Sequence, residues 1–280
     1  MRLSASVTAI YLMIKEGRLD SLALQKHDVH MWYCFPREIK DPDLLARYFP
    51  LLNAEEAVQQ KRFHFEKHRH QYLITRAMIR TLLSRYVGIA PQDLRFQKND
   101  YGRPELVPEQ LSVPLHFNLS HTDGLIVCGV VLHSEIGVDV EDITRGGDLV
   151  QIADRFFSPG EVADLHTVPA DRQEDRFFDY WTMKEAYIKA RGMGLSIPLE
   201  QFSYHINDTD THIGLTVDPR QQDEGSRWQI RQWRCAPCYK VAICLEKQPG
   251  VAFEVHTRRM VPFGAEEPLP LRHFRSSESW

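Results

Sequence analysis

Gly137-Val-Asp-Val-Glu141 and, further along the chain, Trp181-Thr-Met-Lys-Glu-Ala-Tyr-Ile-Lys189 are the two stretches that decide how this sequence is interpreted. The first is rich in β-branched residues and predicts a strand, in which Asp139 and the glutamate two positions later point to the same side. The second consists of good helix formers, and Glu185 and Lys189 lie four apart on one helix face. Three carboxylates that converge with a lysine have the chemistry to hold a hard divalent cation against a phosphate.

The strand also has an ordinary explanation as an amphipathic strand. Val138 and Val140 would face the core, and Asp139 and Glu141 would be solvated. Two neighbouring carboxylates repel each other, however, and this raises a pKa unless a cation compensates. Mg²⁺ is the cation we expect there, because it prefers oxygen ligands and binds substrate phosphates at the same time.

The helix has an ordinary explanation too, in which Glu185 and Lys189 form a surface ion pair worth about 0.3–0.5 kcal/mol. Trp181, Tyr187 and Ile188 instead predict a largely buried helix. A buried charge needs a partner, so the burial favours a functional site over a solvated face.

Composition limits the class of protein. With 280 residues, 43% of them hydrophobic, the chain has enough material for one large domain or two small ones. Charged residues make up 26% and the net charge is -4, so no global excess favours nucleic acid or an anionic membrane as a partner. We find no apolar run of about 18 residues and no signal-peptide pattern, and we therefore expect a cytoplasmic protein with no membrane span.

Five cysteines are scattered along the chain, and their odd number does not indicate a disulfide framework. Cys235-Ala-Pro-Cys238 is compatible with redox chemistry or a zinc site. No second such pair and no paired-histidine motif accompanies it, which favours two ordinary cysteines ahead of a strand.

The order of the predicted elements suggests a duplication. We expect a peripheral extension over residues 1–29, an α+β half over 30–134, a second α+β half over 135–248 and a loose tail over 249–280. In each half, helical patterning and strand-like runs follow one another in a similar order, although the residues themselves do not repeat visibly. The first half contains a long helical stretch, as one or two helices, from an N-cap at Asn53.

Asn118-Leu-Ser-His121 lies between two strand-like runs, and its asparagine, serine and histidine can each donate to a phosphate. A serine beside a histidine is also compatible with a hydrolase nucleophile. A G-x-S-x-G elbow is missing, which disfavours the hydrolase. The sequence has neither a Walker A loop nor G-x-G-x-x-G, so the standard nucleotide-binding folds are disfavoured as well.

Five motifs in order make the chain resemble the 4'-phosphopantetheinyl transferases of the surfactin-synthetase-activating type. The motifs are Tyr101-Gly-Arg-Pro104, Phe117-Asn-Leu-Ser-His121, Gly137-Val-Asp-Val-Glu141, Phe157-Ser-Pro-Gly-Glu161 and the segment from Trp181 to Leu195. Their order and spacing are more specific than any one of them, and the resemblance covers roughly residues 50 to 245. It implies an α+β fold with a pseudo-two-fold duplication of two similar halves, with coenzyme A (CoA) and metal in the cleft between them.

The resemblance also implies roles for individual residues. The implied Mg²⁺ ligands are Asp139, Glu141 and Glu185. Lys189 would lie near the transferring pyrophosphate, with Lys184 close by. The further residues implied to contact CoA are Asn118, Ser120, His121, Lys98, Arg103 and Arg76. Two departures are visible, because Arg103 replaces the family's common lysine and Gln59 stands where some members have a basic residue, for which Lys61 or Arg62 would compensate.

The implied reaction transfers 4'-phosphopantetheine from CoA to a serine of an apo acyl or peptidyl carrier protein and releases 3',5'-ADP. Glu185 is our first choice for the general base and Glu161 the second. A Mg²⁺-dependent phosphohydrolase and a non-catalytic module that binds CoA or a carrier protein are the alternatives. We expect a monomer, with neither nucleic acid nor a membrane as partner.

Overall fold

The computed structural model describes residues 20–207, 211–236 and 238–277. Within these ranges there are five α-helices and thirteen β-strands. The helices are α1 (Pro42–Tyr48), α2 (Ala54–Arg62), α3 (Glu66–Val87), α4 (Pro159–Thr167) and α5 (Gln173–Arg191). The strands are β1 (Asp28–Cys34), β2 (Phe96–Lys98), β3 (Pro104–Leu106), β4 (Leu115–Thr122), β5 (Leu125–Leu132), β6 (Ile136–Asp142), β7 (Phe202–Asn207), β8 (His212–Val217), β9 (Trp228–Cys235), β10 (Tyr239–Glu246), β11 (Glu254–Met260), β12 (Glu266–Pro268) and β13 (His273–Ser276).

The helical stretch of the first half divides into two helices. Asn53 caps α2 as expected: its Oδ1 accepts from the backbone N–H of Glu56 (2.8 Å), and the Glu56 carboxylate accepts from the backbone N–H of Asn53. α3 then runs to Gly88, whose left-handed backbone (φ 70°) ends the helix at a conformation that favours glycine.

The first half consists of α3 packed on a five-stranded sheet in the order β12-β11-β1-β5-β4. One face of the helix, which includes Leu73, Ala77 and Leu82, is buried against apolar residues of the sheet such as Trp32 and Ile126. The sequence predicts this apolar face from its helical spacing. The helix is thus held by the burial of a complete face rather than by its own propensity.

The second half has the same composition of layers. Its sheet has the order β6-β10-β9-β13-β8-β7, and α5 packs on it. β10 lies antiparallel between β6 and β9. Each half therefore contains one long helix on a mainly antiparallel sheet, in agreement with the expected α+β fold with two similar halves.

Gly137 permits the close approach of α5 to β6. A Cβ atom at this position would lie 1.9 Å from the carbonyl oxygen of Ala186 and 2.3 Å from the backbone nitrogen of Ala190. Those distances are far below van der Waals contact, so only glycine fits beneath the helix. The glycine that begins the first decisive stretch therefore sets the distance between the helix and the strand that carry the acids.

The two halves meet where β4, the edge strand of the first sheet, lies against β6, the edge strand of the second. We call this contact between β4 and β6 the seam. Asn118 Oδ1 accepts from the backbone N–H of Val138 (2.9 Å), and Ser120 Oγ accepts from that of Val140 (3.3 Å). Side chains of β4 thus satisfy two backbone donors on the outer edge of β6.

The expectation of a loose C-terminal tail is wrong. β11 lies between β12 and β1 in the first sheet, parallel to β1, and β13 lies between β9 and β8 in the second. Residues 254–276 therefore belong to both sheets and tie the halves together. Basic and proline-rich composition suggested a loose segment, but backbone hydrogen bonds to existing edge strands decide the outcome. Most of the expected extension over residues 1–29 lies outside the described residues.

None of the described helices is both long enough and apolar enough to cross a membrane.

Candidate active site

Four charged side chains from β6 and α5 surround the seam. Asp139 and Glu141 project from the same side of β6, as the strand period requires, and Asp139 is buried. Glu185 and Lys189 lie one turn apart on α5, which Gly137 brings close to the strand. The strand and the helix therefore present three acids and one lysine to one region.

Lys189 is the centre of a hydrogen-bonded group that spans both halves. Its ammonium donates to Asp139 Oδ1 (2.6 Å) and to Ser120 Oγ (2.9 Å). The Ser120 hydroxyl also donates to Asp139 Oδ1 (2.9 Å). β4, β6 and α5 thus each contribute one side chain to a single polar cluster. The sequence motifs contain all three residues, but they do not show that the residues contact one another.

Glu141 is held beside this cluster. Trp181 Nε1 donates to its Oε1 (2.9 Å), and Arg145 contacts its Oε2 (2.9 Å). Burial, together with the charge of Asp139, raises the pKa of Glu141 to about 7. Burial and the charge of Asp139 also raise the pKa of Glu185. The acids repel one another and are short of positive charge.

The donor set fits a hard cation. The second oxygen of Asp139 is buried and accepts no hydrogen bond, which is unusual for a carboxylate oxygen. Oxygen ligands and an excess of negative charge are what Mg²⁺ requires. Oxygens taken one from each acid do not all lie within 4.8 Å of one another, and Lys189 contacts Asp139 directly. The assignment of Asp139, Glu141 and Glu185 as metal ligands therefore stays a prediction.

His121 lies at the open side of the seam. Gln71 on α3 donates through Nε2 to His121 Nδ1 (3.1 Å) and to the carbonyl of Thr122 (3.0 Å). Burial and the nearby Lys189 ammonium lower the pKa of His121, so the imidazole is neutral near pH 7. With Nδ1 accepting from Gln71, Nε2 carries a proton that a phosphate oxygen would accept.

Two of the predicted site residues are placed elsewhere. Glu161 and Lys184 bind each other (2.7 Å), and the side chains of both are 0% exposed. Lys184 Nζ also donates to the carbonyls of Leu199 and Phe202, both at 2.7 Å. The ammonium is therefore fully occupied inside the core of the second half and cannot contact CoA.

Glu161 is a structural carboxylate rather than a general base. Ser158 and Glu161 form a capping box at the start of α4, and the other oxygen of Glu161 accepts from the backbone N–H of Tyr204. The spacing S-x-x-E ahead of an apolar run is the ordinary signature of such a cap, and it could have identified this role from sequence.

Two further residues predicted to contact CoA, Arg76 and Arg103, form ion pairs within the protein. Arg76 pairs with Glu56 and lies over the ring of Phe96. Arg103 binds Glu135 (2.6 Å) and the carbonyl of Ala190 (3.2 Å), so it joins the first half to the end of α5. These pairings leave the CoA roles of both arginines as predictions.

Lys98 is exposed on β2, and Gln59, Lys61 and Arg62 are exposed on α2. The side-chain oxygen of Asn118 instead binds the backbone N–H of Val138 at the seam.

The sequence analysis did not identify Gln71 or Arg145 as site residues. Gln71 lies on a different element from the histidine that it orients, so no local signal identifies it. The contact of Arg145 with Glu141 has the i,i+4 spacing, but it lies beyond the end of a strand, where that spacing carries no meaning.

Comparisons with known proteins identify the family of the chain. Residues 135–244 match the family described as the 4'-phosphopantetheinyl transferase superfamily, and residues 41–132 match the one described as 4'-phosphopantetheinyl transferase, N-terminal. A 4'-phosphopantetheinyl transferase of Bacillus subtilis is 35% identical over 200 residues, which cover 71% of this chain and 84% of that protein. The 4'-phosphopantetheinyl transferase HetI of Nostoc sp. PCC 7120 is 34% identical over 68% of this chain and 79% of its own length.

The chain belongs to the 4'-phosphopantetheinyl transferase superfamily and is a transferase of that class. Among solved structures, a CoA complex of an ACPS protein overlaps 41% of this chain and 98% of that chain, with 19% identity and a TM-score of 0.33. So low a score adds nothing to the assignment, which depends on the sequence relatives.

Proposed function

We propose that the enzyme transfers 4'-phosphopantetheine from CoA to the serine of an apo acyl or peptidyl carrier protein. The serine oxygen attacks the β-phosphorus of CoA, the bond between that phosphorus and the bridging oxygen breaks, and 3',5'-ADP leaves with the bridging oxygen. The observation that carries the proposal is the cluster of Lys189, Asp139 and Ser120 at the seam, beside two acids with raised pKa values.

A metal is part of the proposal. The residues that would hold Mg²⁺ are Asp139, Glu141 and Glu185, and the buried oxygen of Asp139 without a hydrogen bond supports this choice. Bound there, Mg²⁺ supplies positive charge against the negative charge of the diphosphate.

The chain's own residues would perform the other tasks. Lys189 is 27% exposed, so its ammonium can reach a ligand in the cleft and stabilise charge on the leaving phosphate. The Nε2 proton of His121 is a donor for a phosphate oxygen on the first-half side, whereas the Ser120 hydroxyl proton is donated to Asp139 and helps to hold Lys189 in place. Such chemistry depends mainly on positioning and electrostatics, which a rigid seam between two sheets provides.

The serine proton needs an acceptor. Glu185 is our choice: one of its carboxylate oxygens would hold the metal, and the other would be the proton acceptor. Burial and the charge of Asp139 raise the pKa of this carboxyl group in the metal-free enzyme. Glu161 is excluded, since it is bound to Lys184 inside the core.

One chain is sufficient for the site. Ser120 and His121 come from the first half, and the acids and Lys189 come from the second, so both walls of the cleft belong to the same molecule. This supports a monomer as the active form.

Incubation of the purified enzyme with CoA, Mg²⁺ and an apo-carrier protein tests the proposal. Intact-mass measurement should show that the carrier gains about 340 Da, the mass of the phosphopantetheine group. A carrier in which the acceptor serine is replaced by alanine is the matched control and should gain nothing. CoA cleavage without a mass gain on any carrier would indicate a phosphohydrolase instead, and CoA binding without turnover would indicate a binding module.

A further inference from the structure

A second polar cluster lies in the first sheet, on strands that do not contribute to the cleft. Asp28 and His30 are two apart on β1 and so point to the same side, and His256 lies on β11 directly opposite His30 in the parallel register. The two strands are separated by most of the chain, yet their pairing assembles two imidazoles and one carboxylate on one face of the sheet.

The distances suit metal coordination. His256 Nε2 lies 3.2 Å from Asp28 Oδ1, and His30 Nε2 lies 3.9 Å from Asp28 Oδ2. Among the described residues these three form the group whose ligand atoms all lie within 4.8 Å of one another. The two distances run to different oxygens of Asp28. Both are close to the separation of about 3.4 Å between neighbouring ligand atoms in tetrahedral coordination with metal–ligand bonds of about 2.1 Å.

His30 is oriented by residues behind it. Its Nδ1 is 2.7 Å from the hydroxyl of Tyr86 on α3, and that hydroxyl also accepts from Trp32 Nε1 (2.8 Å). A hydrogen bond at Nδ1 leaves Nε2, the nitrogen that faces Asp28, as the ligand atom. Histidine ligands in metal sites are usually held at their second nitrogen in this way.

The cluster faces a cavity of about 700 Å³. Residues from the cleft are not part of its lining, so it is separate from the proposed transferase site. Arg85 and Arg258 also line this cavity, and both pair with Glu266, which offsets their charge. The cavity supplies space for water at the fourth coordination position.

We propose that Asp28, His30 and His256 form a binding site for a divalent transition-metal ion of the Zn²⁺ type, which clamps the C-terminal strand β11 onto the N-terminal strand β1. Two imidazoles with one carboxylate select such an ion over Mg²⁺, which prefers oxygen ligands alone. Because the ion binds the native pairing of strands that lie far apart in sequence, it stabilises the folded chain.

Zn²⁺ titration of the full-length enzyme by calorimetry, in excess Mg²⁺ to occupy hard-ligand sites, tests the proposal. We expect a Zn²⁺ site whose affinity falls about 100-fold or more in His256→Ala, because one of three ligands is lost. His205→Ala is the matched control: His205 lies exposed on β7, bonded to Thr216, and its loss should change nothing. Asp139→Ala should also retain the site, which separates this outcome from any failure of the transferase proposal.

Two further measurements distinguish a clamp from adventitious binding. Tyr86→Phe removes the group that orients His30 but no ligand, and it should weaken Zn²⁺ by about 10- to 100-fold. Zn²⁺ should raise the Tm and protect residues 254–260 from hydrogen exchange in the wild type and not in His256→Ala. The proposal is overturned if the folded wild type does not bind Zn²⁺, or if His256→Ala binds it equally well. Circular dichroism of each variant verifies its fold, and His256→Gln replaces the alanine variant should that one not fold.

Discussion

Lys184 and Lys189 lie five residues apart on the same helix and have opposite surroundings. Lys184 is 0% exposed, and Glu161 with two backbone carbonyls satisfies all of its donors. Lys189 is 27% exposed, and it bridges Asp139 and Ser120 at the seam. Five residues span about 1.4 turns of helix, so the two side chains point about 140° apart. One lysine therefore faces the core of its own half, and the other faces the contact between halves. One segment of sequence thus contains a lysine with a structural role and another that lies where the proposed chemistry would occur.

The largest expected effect is on stability, at Lys184. Lys184→Met should destabilise the fold by about 3–5 kcal/mol, because it leaves the Glu161 carboxylate buried without its partner. Urea unfolding followed by fluorescence measures this change, and the remaining folded enzyme should turn over at close to the wild-type rate. Glu161→Gln, which removes the charge and keeps one of the two acceptor oxygens, should restore part of the loss in the double variant. A Lys184→Met enzyme that is stable but has lost its CoA affinity would show that Lys184 contacts the substrate and is not a structural residue.

Lys189 should show the opposite pattern. Lys189→Ala should reduce kcat by about 10²-fold, which corresponds to about 2.7 kcal/mol of transition-state stabilisation. The free energy of unfolding should fall by less than in Lys184→Met, because this lysine is 27% exposed. Steady-state kinetics with CoA and an apo-carrier measure the effect. Lys247→Ala is the matched control, since this lysine follows β10 at the end away from the acids. A rise in KM with unchanged kcat would mean that Lys189 contributes binding only.

A third ion pair, between Arg103 and Glu135, sharpens the comparison and should give the smallest effect, because its carboxylate is the most exposed of the three. Burial raises the pKa of Glu135, but the hydrogen bond with His116 and the charge of Arg103 outweigh it and hold the pKa at about 2, below the ordinary value of 4.5. Since folding lowers this pKa, the carboxylate contributes stability above pH 4.5, and that stability is lost as the pH falls towards 2.

Glu135→Gln should therefore unfold at lower urea concentration than the wild type near neutral pH, and the difference should disappear as the pH approaches 2. Unfolding curves between pH 2 and 7 measure it. Glu109→Gln, at an exposed position, provides the control. A difference that persists unchanged at the acid end would show that Glu135 acts through packing rather than charge.

Much of the fold follows from local patterns. The strand β6 lies where its β-branched run predicts it, and Asn53 caps the helix that follows it. Local patterns failed at the tail, because a strand such as β11 gains its stability from partners far away in sequence. The prediction for Glu161 was also wrong: the family motif suggested a general base, whereas the same residues form a capping box.

The sequence by itself determined which residues share a strand or helix face, and hence that Asp139 lies on the same side as Glu141, and Glu185 on the same side as Lys189. Its motifs determined the family. The periodicity and the chemistry of side chains are local properties, so the sequence shows them without knowledge of the tertiary structure. Only the tertiary structure decided which lysine enters the core, that Ser120 completes the cluster across the seam, and that His256 meets His30. Those outcomes depend on the packing of elements that are distant in the chain, and no pattern within a single element contains that information.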